Sequence, residues 1–314
     1  MIDGFVYGKE WGMTATEKMK VLNISGYRFF KFDHAEEVRA PLRDKCRALG
    51  LRGTVLLSPE GINCFLAGER SGIEEVRSLM IDELKIPEFE FKESFTEYQP
   101  FTRMLVKVKK NIIPLGPDGK IKPYEITGPE IEPSELKKWY DEQKDFIVID
   151  TRNDYEVKVG TFENAVDPNI KHFREFEQKL DEFPPEWKEK DVVIFCTGGI
   201  RCEKASPLMI EKGFKNVHQL KGGILKYFEL VGGDHWNGEC FVFDQRVGVG
   251  PDLRETKTTQ CYHCRAVVDE EAQRSQKYVK GVSCPACFGK EVDPSKAISQ
   301  HDKRQVAHAR MNQK

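Results

Sequence analysis

The chain contains no apolar run long enough to span a bilayer, which predicts a protein without a helical membrane segment. Its opening, Met1-Ile-Asp-Gly-Phe-Val-Tyr-Gly-Lys-Glu10, lacks a basic region followed by an apolar core, so no signal peptide is expected and the location is read as cytoplasmic. Charge of one sign is also missing. The net charge is −2, so overall electrostatics point to no nucleic-acid partner and any basic footprint must be local. No two-His-one-carboxylate triad stands out. His34-Ala-Glu36 has the local form but sits where a helix cap explains it. No dinucleotide glycine fingerprint is present, and no organic cofactor is identified.

What is present is a soluble composition, 39% hydrophobic and 32% charged, over 314 residues, a length that suits two or three domains. Nine cysteines in an unexported chain point to thiol chemistry or metal rather than a disulfide framework.

The most informative stretch is Asp191-Val-Val-Ile-Phe-Cys196-Thr-Gly-Gly-Ile-Arg201-Cys202. Val192 to Phe195 read as a buried strand that runs into Cys196, then a glycine-rich turn, then a helix. Such a turn lies at the carboxyl edge of a sheet, where open α/β folds bind ligands. The backbone amides of Thr197, Gly198, Gly199 and Ile200 are expected to form an anion nest, with the helix adding its positive end. Together with Arg201 they should acidify Cys196, and the thiolate is the reactive form. Cys202 either resolves a persulfide or sulfenate on Cys196 by exchange or packs inward as a buried thiol.

Residues 17–112 read as β-α-β-β-α-β with one more strand, the ferredoxin-like (acylphosphatase-like) α+β arrangement. Strands are expected at Val21 to Phe32, Thr54 to Leu57, Ile62 to Ala67, Phe89 to Ser94 and Arg103 to Lys110. Two capping boxes, Asp33/Glu36 and Ser71/Glu74, are expected to open helices reaching Leu49 and about Leu84. The sheet either holds RNA, through Arg103, Lys107, Lys109 and Lys110, or has an ordinary solvated edge. Glu60-Gly-Ile-Asn63 is a turn in which Glu60 and Asn63 face a substrate groove or simply close a hairpin.

Residues 113–131 read as a Pro- and Gly-rich linker, followed by alternating strands and helices over 132–233, a parallel sheet covered on both faces. Ser134 is expected to cap a helix through Tyr140. Phe146 to Asp150 reads as a buried strand, Phe162 to Val166 as a short one, and His172 to Leu180 as a helix. A helix from Cys202 should end near Lys212. Asn216 to Leu220 is a strand, and Gly222-Gly223 opens a helix through Leu230. This segment resembles a rhodanese domain. Asp150 and Arg152, with Glu156 and Gly160, match the family's Asp-x-Arg motif; Cys196 to Arg201 match its active-site loop; Leu220-Lys-Gly-Gly223 match its closing glycine pair. The resemblance implies a central rhodanese-like parallel α/β domain whose loop cysteine carries sulfur as a persulfide. The four residues between Cys196 and Arg201 make a narrower loop than the related phosphatases use, which argues against phosphatase activity. Asp150 and Arg152 are expected to brace the loop by charge-assisted hydrogen bonds.

Residues 234–314 read as a small Cys-rich module and basic tail. Phe241 to Arg246 is a short strand ending in charge. Cys261-Tyr-His-Cys264 and Cys284-Pro-Ala-Cys287 have the spacing of a structural zinc site, with free thiols or a disulfide pair as the alternative. The tail from Ser295, with Lys296, Lys303, Arg304 and Arg310, either touches RNA phosphates or is only solvated.

The whole arrangement resembles the bacterial tRNA uridine(34) hydroxylase family. The marks are Glu60-Gly-Ile-Asn63, the eleven-residue run Cys196 to Ser206, Phe241-Val-Phe-Asp244 and the paired cysteines after residue 260. The resemblance implies O2-dependent conversion of the wobble uridine of tRNA to 5-hydroxyuridine, with Cys196 essential, as a persulfide; separately, a nucleophilic thiolate beside an electropositive loop motivates its addition to uracil C6. A plain sulfurtransferase carrying a persulfide on Cys196 and a non-catalytic RNA-binding protein are the competing readings.

Overall fold

In the computed structural model the described residues are 21–116, 120–244, 246–261, 263–264, 266–280 and 282–290. The leader before Val21 and the basic tail with Lys296, Lys303, Arg304 and Arg310 lie outside them. The chain divides into two compact units. The first holds residues 21–28, His34–Leu57 and Ile62–Lys109; the second takes Phe29–Asp33, Ser58–Gly61 and the described residues from Lys110 onward.

The first unit is built from β1 (Val21–Phe29), α1 (Ala35–Ala48), β2 (Arg52–Ser58), β3 (Gly61–Gly68), α2 (Arg70–Ser78), β4 (Lys92–Thr96) and β5 (Met104–Val108). Its sheet order is β4-β1-β3-β2-β5. The first four strands form the ferredoxin-like arrangement, and β5 is the spare strand, added parallel to β2 with Val55 opposite Val106. Helical spacing buries Ala35, Val38, Leu42 and Cys46 of α1, while Val55 and Leu57 of β2 alternate inward.

Neither expected capping box forms. Asp33 is drawn to Lys31, 3.0 Å away, and α1 begins behind His34 without a side-chain cap. α2 begins behind Glu69, so Ser71 lies inside the helix, and Glu74 instead pairs with Arg70 and Arg77. α2 then widens into a π-helical turn over Leu79–Glu83. The strand expected from Phe89 begins three residues later, at Lys92.

The second unit is built around β6 (Glu130–Ile131), α3 (Pro133–Asp141), β7 (Ile147–Asp150), α4 (Asp154–Val157), β8 (Gly160–Phe162), α5 (Phe176–Leu180), β9 (Asp191–Phe195), α6 (Cys202–Glu211), β10 (Asn216–Leu220) and α7 (Gly223–Leu230). The sheet is fully parallel, in the order β6-β10-β9-β7. Two hydrophobic clusters meet it. One contains Ile149, Val192, Ile194, Cys196, Cys202 and Leu208. The other contains Val148, Val193, Phe195, Ile224, Tyr227 and Trp236. Consecutive residues of β9 thus divide between the two clusters, which is why this strand reads as an unbroken apolar run.

Here too the structure corrects details. α3 starts behind Glu132 with Pro133 at its first position, because proline's fixed φ and missing N–H suit that place; Ser134 is not the cap. The short strand expected from Phe162 ends there instead. It pairs antiparallel with β11 (Trp236–Gly238), and only Val166 bridges to Ile149. The helix expected from His172 is a 3-10 turn at Phe173–Glu175 followed by α5.

Beyond α7 the elements are short: β11, then β12 (Cys240–Phe241) with β13 (Gly248–Val249), and β14 (Thr259–Gln260) with β15 (Val267–Val268), followed by α8 (Glu270–Arg274). Phe241 alone of the 241–246 stretch is in a strand. Asp244 and Arg246 form a tight turn instead, with the Arg246 guanidinium and amide both donating to Asp244. The same local device occurs at Asp150 and Arg152.

Candidate active site

The Cys196 loop is suspended between β9 and α6 and is held from below by α7. The amides of Ile224 and Leu225 donate to the carbonyls of Cys196 and Thr197 at 3.0 and 3.1 Å. This approach requires glycine at 223. Its φ is +66°, and a Cβ there would lie 2.4 Å from the Cys196 carbonyl oxygen and 2.8 Å from that of Thr197, both immovable backbone atoms.

Within the loop the Gly199 amide donates to Cys196 Sγ at 3.1 Å, and the Gly198 and Arg201 amides also donate to the sulfur. Gly199 has φ +100°, which turns its N–H inward. Gly198 and Ile200 are half-buried, while Cys196 is 1% exposed. The Thr197 hydroxyl lies 3.5 Å from Glu156 Oε1 and 3.4 Å from the Phe241 carbonyl.

Arg201 does not have a free fork. Its Nη1 and Nη2 donate to Glu156 Oε2 and Oε1 at 2.9 and 2.7 Å. Glu156 is fully buried and also accepts from the Asn153 amide at 3.1 Å. Burial of Glu156 therefore leaves little carboxylate capacity unused, and the pair is of the strong bidentate kind. The bracing expected of Asp150 and Arg152 is one step removed. Arg152 spends its guanidinium on Asp150 and on the carbonyls of Glu156 and Gly160, while Asp150 also accepts from Thr161. The residue between them makes the direct contact: Thr151 Oγ1 donates to the Phe195 carbonyl at 2.8 Å.

Burial by itself raises the Cys196 thiol. Against it, the Cys202 thiol donating to it, the Arg201 charge and the loop amides bring it down to about 5. Cys202 is fully buried, lies 3.9 Å from Thr151 Oγ1, and is pushed up by burial and by its neighbour's negative charge. The two thiols titrate together, Cys196 lowered and Cys202 raised, which favours the retained proton on Cys202. That direction favours the Cys196 thiolate at neutral pH.

Glu60 and Asn63 are both buried. The two oxygens of Glu60 accept from the Ile112 amide at 2.8 Å and from Lys204 Nζ at 2.7 Å. Lys204, on α6, is 1% exposed. The Cys-rich module brings Cys261, Cys264, Cys284 and Cys287 together, all four Sγ atoms within 4.8 Å of one another. Cys261, Cys284 and Cys287 make up most of the buried cluster there, with Val268 the one other buried member and Cys264 packed half-buried against it.

Glu156, Lys204 and Gly223 complete the site; sequence reasoning placed them within matched motifs but assigned none of them a chemical role. The seven-residue span from Asp150 to Glu156 and the glycine pair carry the signal for two of them. Lys204 carries none, because its partner lies 144 residues away.

A thiolate loop at the carboxyl end of a parallel strand, with a helix amino terminus beneath it, defines a rhodanese-like protein. A family model for the rhodanese-like domain matches residues 132–230, and one for the UPF0176 acylphosphatase like domain matches residues 21–112. The tRNA uridine(34) hydroxylase of Cupriavidus necator is 48% identical over 276 residues, covering 86% of this chain and 98% of its own. That of Paraburkholderia xenovorans is 47% identical over 278 residues, covering 86% and 96%. The chain belongs to the tRNA uridine(34) hydroxylase family. Among solved structures, a rhodanese-like domain from an Anabaena species matches at 20% identity and a TM-score of 0.31, covering 36% of this chain and 80% of that one.

The shared proton predicts how the thiolate titrates. Followed by ultraviolet thiolate absorbance against a Cys196→Ser reference, the wild-type signal persists as pH falls through neutrality and is lost near pH 5. Cys202→Ala removes a donor and moves the midpoint upward, whereas Cys202→Ser keeps a donor and moves it less. Equal midpoints in all three proteins would show that Cys202 does not hold the proton.

Proposed function

We propose that this chain hydroxylates C5 of uridine 34 in tRNA, using O2 and depending on Cys196. The observation that carries the reading is the Cys196 thiolate held by the Gly199 amide inside a loop braced by Arg201 and Glu156. The proposed site comprises Cys196 and Arg201 as the reacting and charge-setting groups, and Thr197, Gly198, Gly199 and Ile200 as the loop. Asp150, Arg152 and Cys202 support it. Glu60 acts through Lys204, and Asn63 is included with it as a candidate substrate-groove residue.

The balance of the reaction is fixed. One oxygen atom of O2 enters the C5–H bond. The other leaves as water after taking two electrons and two protons, the amount that two thiols release on forming a disulfide. Burial of Cys196 favours a persulfide, its outer sulfur transferred from a persulfide donor that leaves as a thiol or from thiosulfate that leaves as sulfite, over direct addition to C6. A second sulfur extends the reactive atom by about 2 Å, beyond a side chain that is itself enclosed. The remaining functional assignments follow the same reading: residues 17–112 bind tRNA, 113–131 link, 132–233 carry the chemistry, 234–314 form the Cys-rich module and tail, and the protein works in the cytoplasm.

Mass spectrometry of tRNA nucleosides tests this. A strain lacking the protein loses 5-hydroxyuridine and its derivatives; the wild-type chain restores them and Cys196→Ala does not. Unchanged nucleosides together with robust thiocyanate formation from cyanide and thiosulfate would instead establish a plain sulfurtransferase. A silent Cys196→Ala would leave a non-catalytic RNA-binding protein.

The four-cysteine cluster is proposed to hold structural zinc. Four thiolates at about 2.3 Å from a tetrahedral ion lie about 3.8 Å apart. The Cys261–Cys287, Cys264–Cys284 and Cys284–Cys287 Sγ distances are 3.8, 3.6 and 3.8 Å, far longer than a disulfide. A module whose core consists mainly of thiols gains its folding energy from the metal. Elemental analysis is expected to give one zinc per chain, lost in Cys264→Ser and Cys284→Ser with a lower melting midpoint. A metal-free protein with the same midpoint in chelator would contradict the assignment.

A further inference from the structure

Phe243 has no place in the chemistry described so far, yet it stands beside the loop. It is 49% exposed, an unusual state for a large aromatic next to an enclosed thiolate. Its ring lies 5.8 Å from the Arg201 guanidinium carbon. Behind it the Phe241 ring meets it edge-on at 5.3 Å, and Tyr155 meets Phe241 at 5.2 Å in the same manner. The row is anchored to the site at its middle and at its far end. The Phe241 carbonyl lies within hydrogen-bonding distance of Thr197, and Tyr155 is the neighbour of Glu156.

The backbone that presents Phe243 is also fixed. β12 and β13 clamp Cys240–Phe241 against Gly248–Val249, and the Val242 amide donates to the Val247 carbonyl at 2.8 Å. The turn between them is closed by the Asp244–Arg246 pair, which is largely buried. An exposed aromatic on a braced turn costs little further ordering when a flat ligand stacks on it. Phe241 buries itself, whereas Phe243, two residues on, has its ring partly in solvent.

We infer that Phe243 is the stacking platform for the uracil ring of the nucleotide to be modified, positioning that base at the Cys196 loop. The inference rests on the proposed tRNA reading. Enzymes acting on a base take it out of its stack and replace the lost stacking with aromatic side chains. A π-face is what such a base requires. The Arg201 guanidinium beside the ring adds a planar cation to the same surface. Phe243 is a positioning residue in this role: it holds the base and takes no part in bond making.

The test measures initial rates of 5-hydroxyuridine formation on undermodified tRNA, with extract from a deletion strain supplying reductant. Wild-type, Phe243→Ala, Phe243→Leu, Phe243→Tyr and Phe243→Trp chains are compared, and the Cys196 thiolate titration is recorded for each. Removing an aromatic that stacks one base is expected to lower kcat/KM roughly 5- to 150-fold, mainly through KM. Alanine and leucine should both show the loss, and tyrosine and tryptophan should recover the activity, while the thiolate midpoint stays unchanged. A leucine variant as active as wild type would overturn the stacking role. So would a loss that tracks a shifted thiolate midpoint, since Phe243 would then act only through Arg201. Unchanged kinetics in Phe243→Ala would assign the exposed ring to some other surface. If the wild-type chain itself forms no 5-hydroxyuridine, the tRNA reading has failed, and that outcome is distinct from any difference among the variants.

Discussion

The site depends on one buried ion pair. Arg201 and Glu156 meet through two parallel hydrogen bonds, with their side chains 6% and 0% exposed. Neither group would tolerate burial alone, because an unpaired charge there would cost several kcal/mol. Their pairing ties α4 to the start of α6 and closes the loop that carries Cys196. It also sets the electrostatics. The guanidinium lowers the thiol, and the carboxylate keeps the guanidinium in place without itself touching the sulfur.

Around that pair the second unit is layered in successive supports. Arg152 and Asp150, both fully buried, hold the carbonyls of Glu156 and Gly160. α7 holds the loop from beneath through two backbone hydrogen bonds, which only glycine at 223 permits. Lys204 on α6 meets Glu60, so the helix that begins at the loop is fixed at its first turn as well. Buried polar groups of this kind are expensive unless satisfied, and here Asp150, Arg152, Glu156, Arg201 and Lys204 all have partners, while Asn153 Oδ1 has none among the described residues. Rigidity suits a thiolate whose stabilising amides must stay aimed at one atom.

Much of this was legible in the residues. The parallel sheet announced itself because β9 is apolar at every inner position, and β10 and α7 begin where the residues place them. The ferredoxin-like order was legible for the same reason, from alternation in β2 and helical spacing in α1. The helix starts were not. Asp33 and Ser71 have the right chemistry for caps, but Lys31 takes Asp33, and the backbone before Ser71 is already helical. Local pattern cannot show such competition. The loop residues were visible as a linear run, whereas Lys204 and Glu60 depend on a contact across 144 positions, and Phe243 gains meaning only from its exposure beside Arg201.

The claim at the centre is that the fork of Arg201, and not merely its charge, holds the loop on Glu156. Arg201→Lys separates the two, since lysine keeps the charge and loses the bidentate geometry. The decisive measurement is the initial rate of 5-hydroxyuridine formation on undermodified tRNA by the purified Arg201→Lys chain in deletion-strain extract. The account predicts a fall of about 100-fold, the scale of a small misplacement of reacting groups, in a protein that remains folded. A lysine variant with wild-type rate would contradict it.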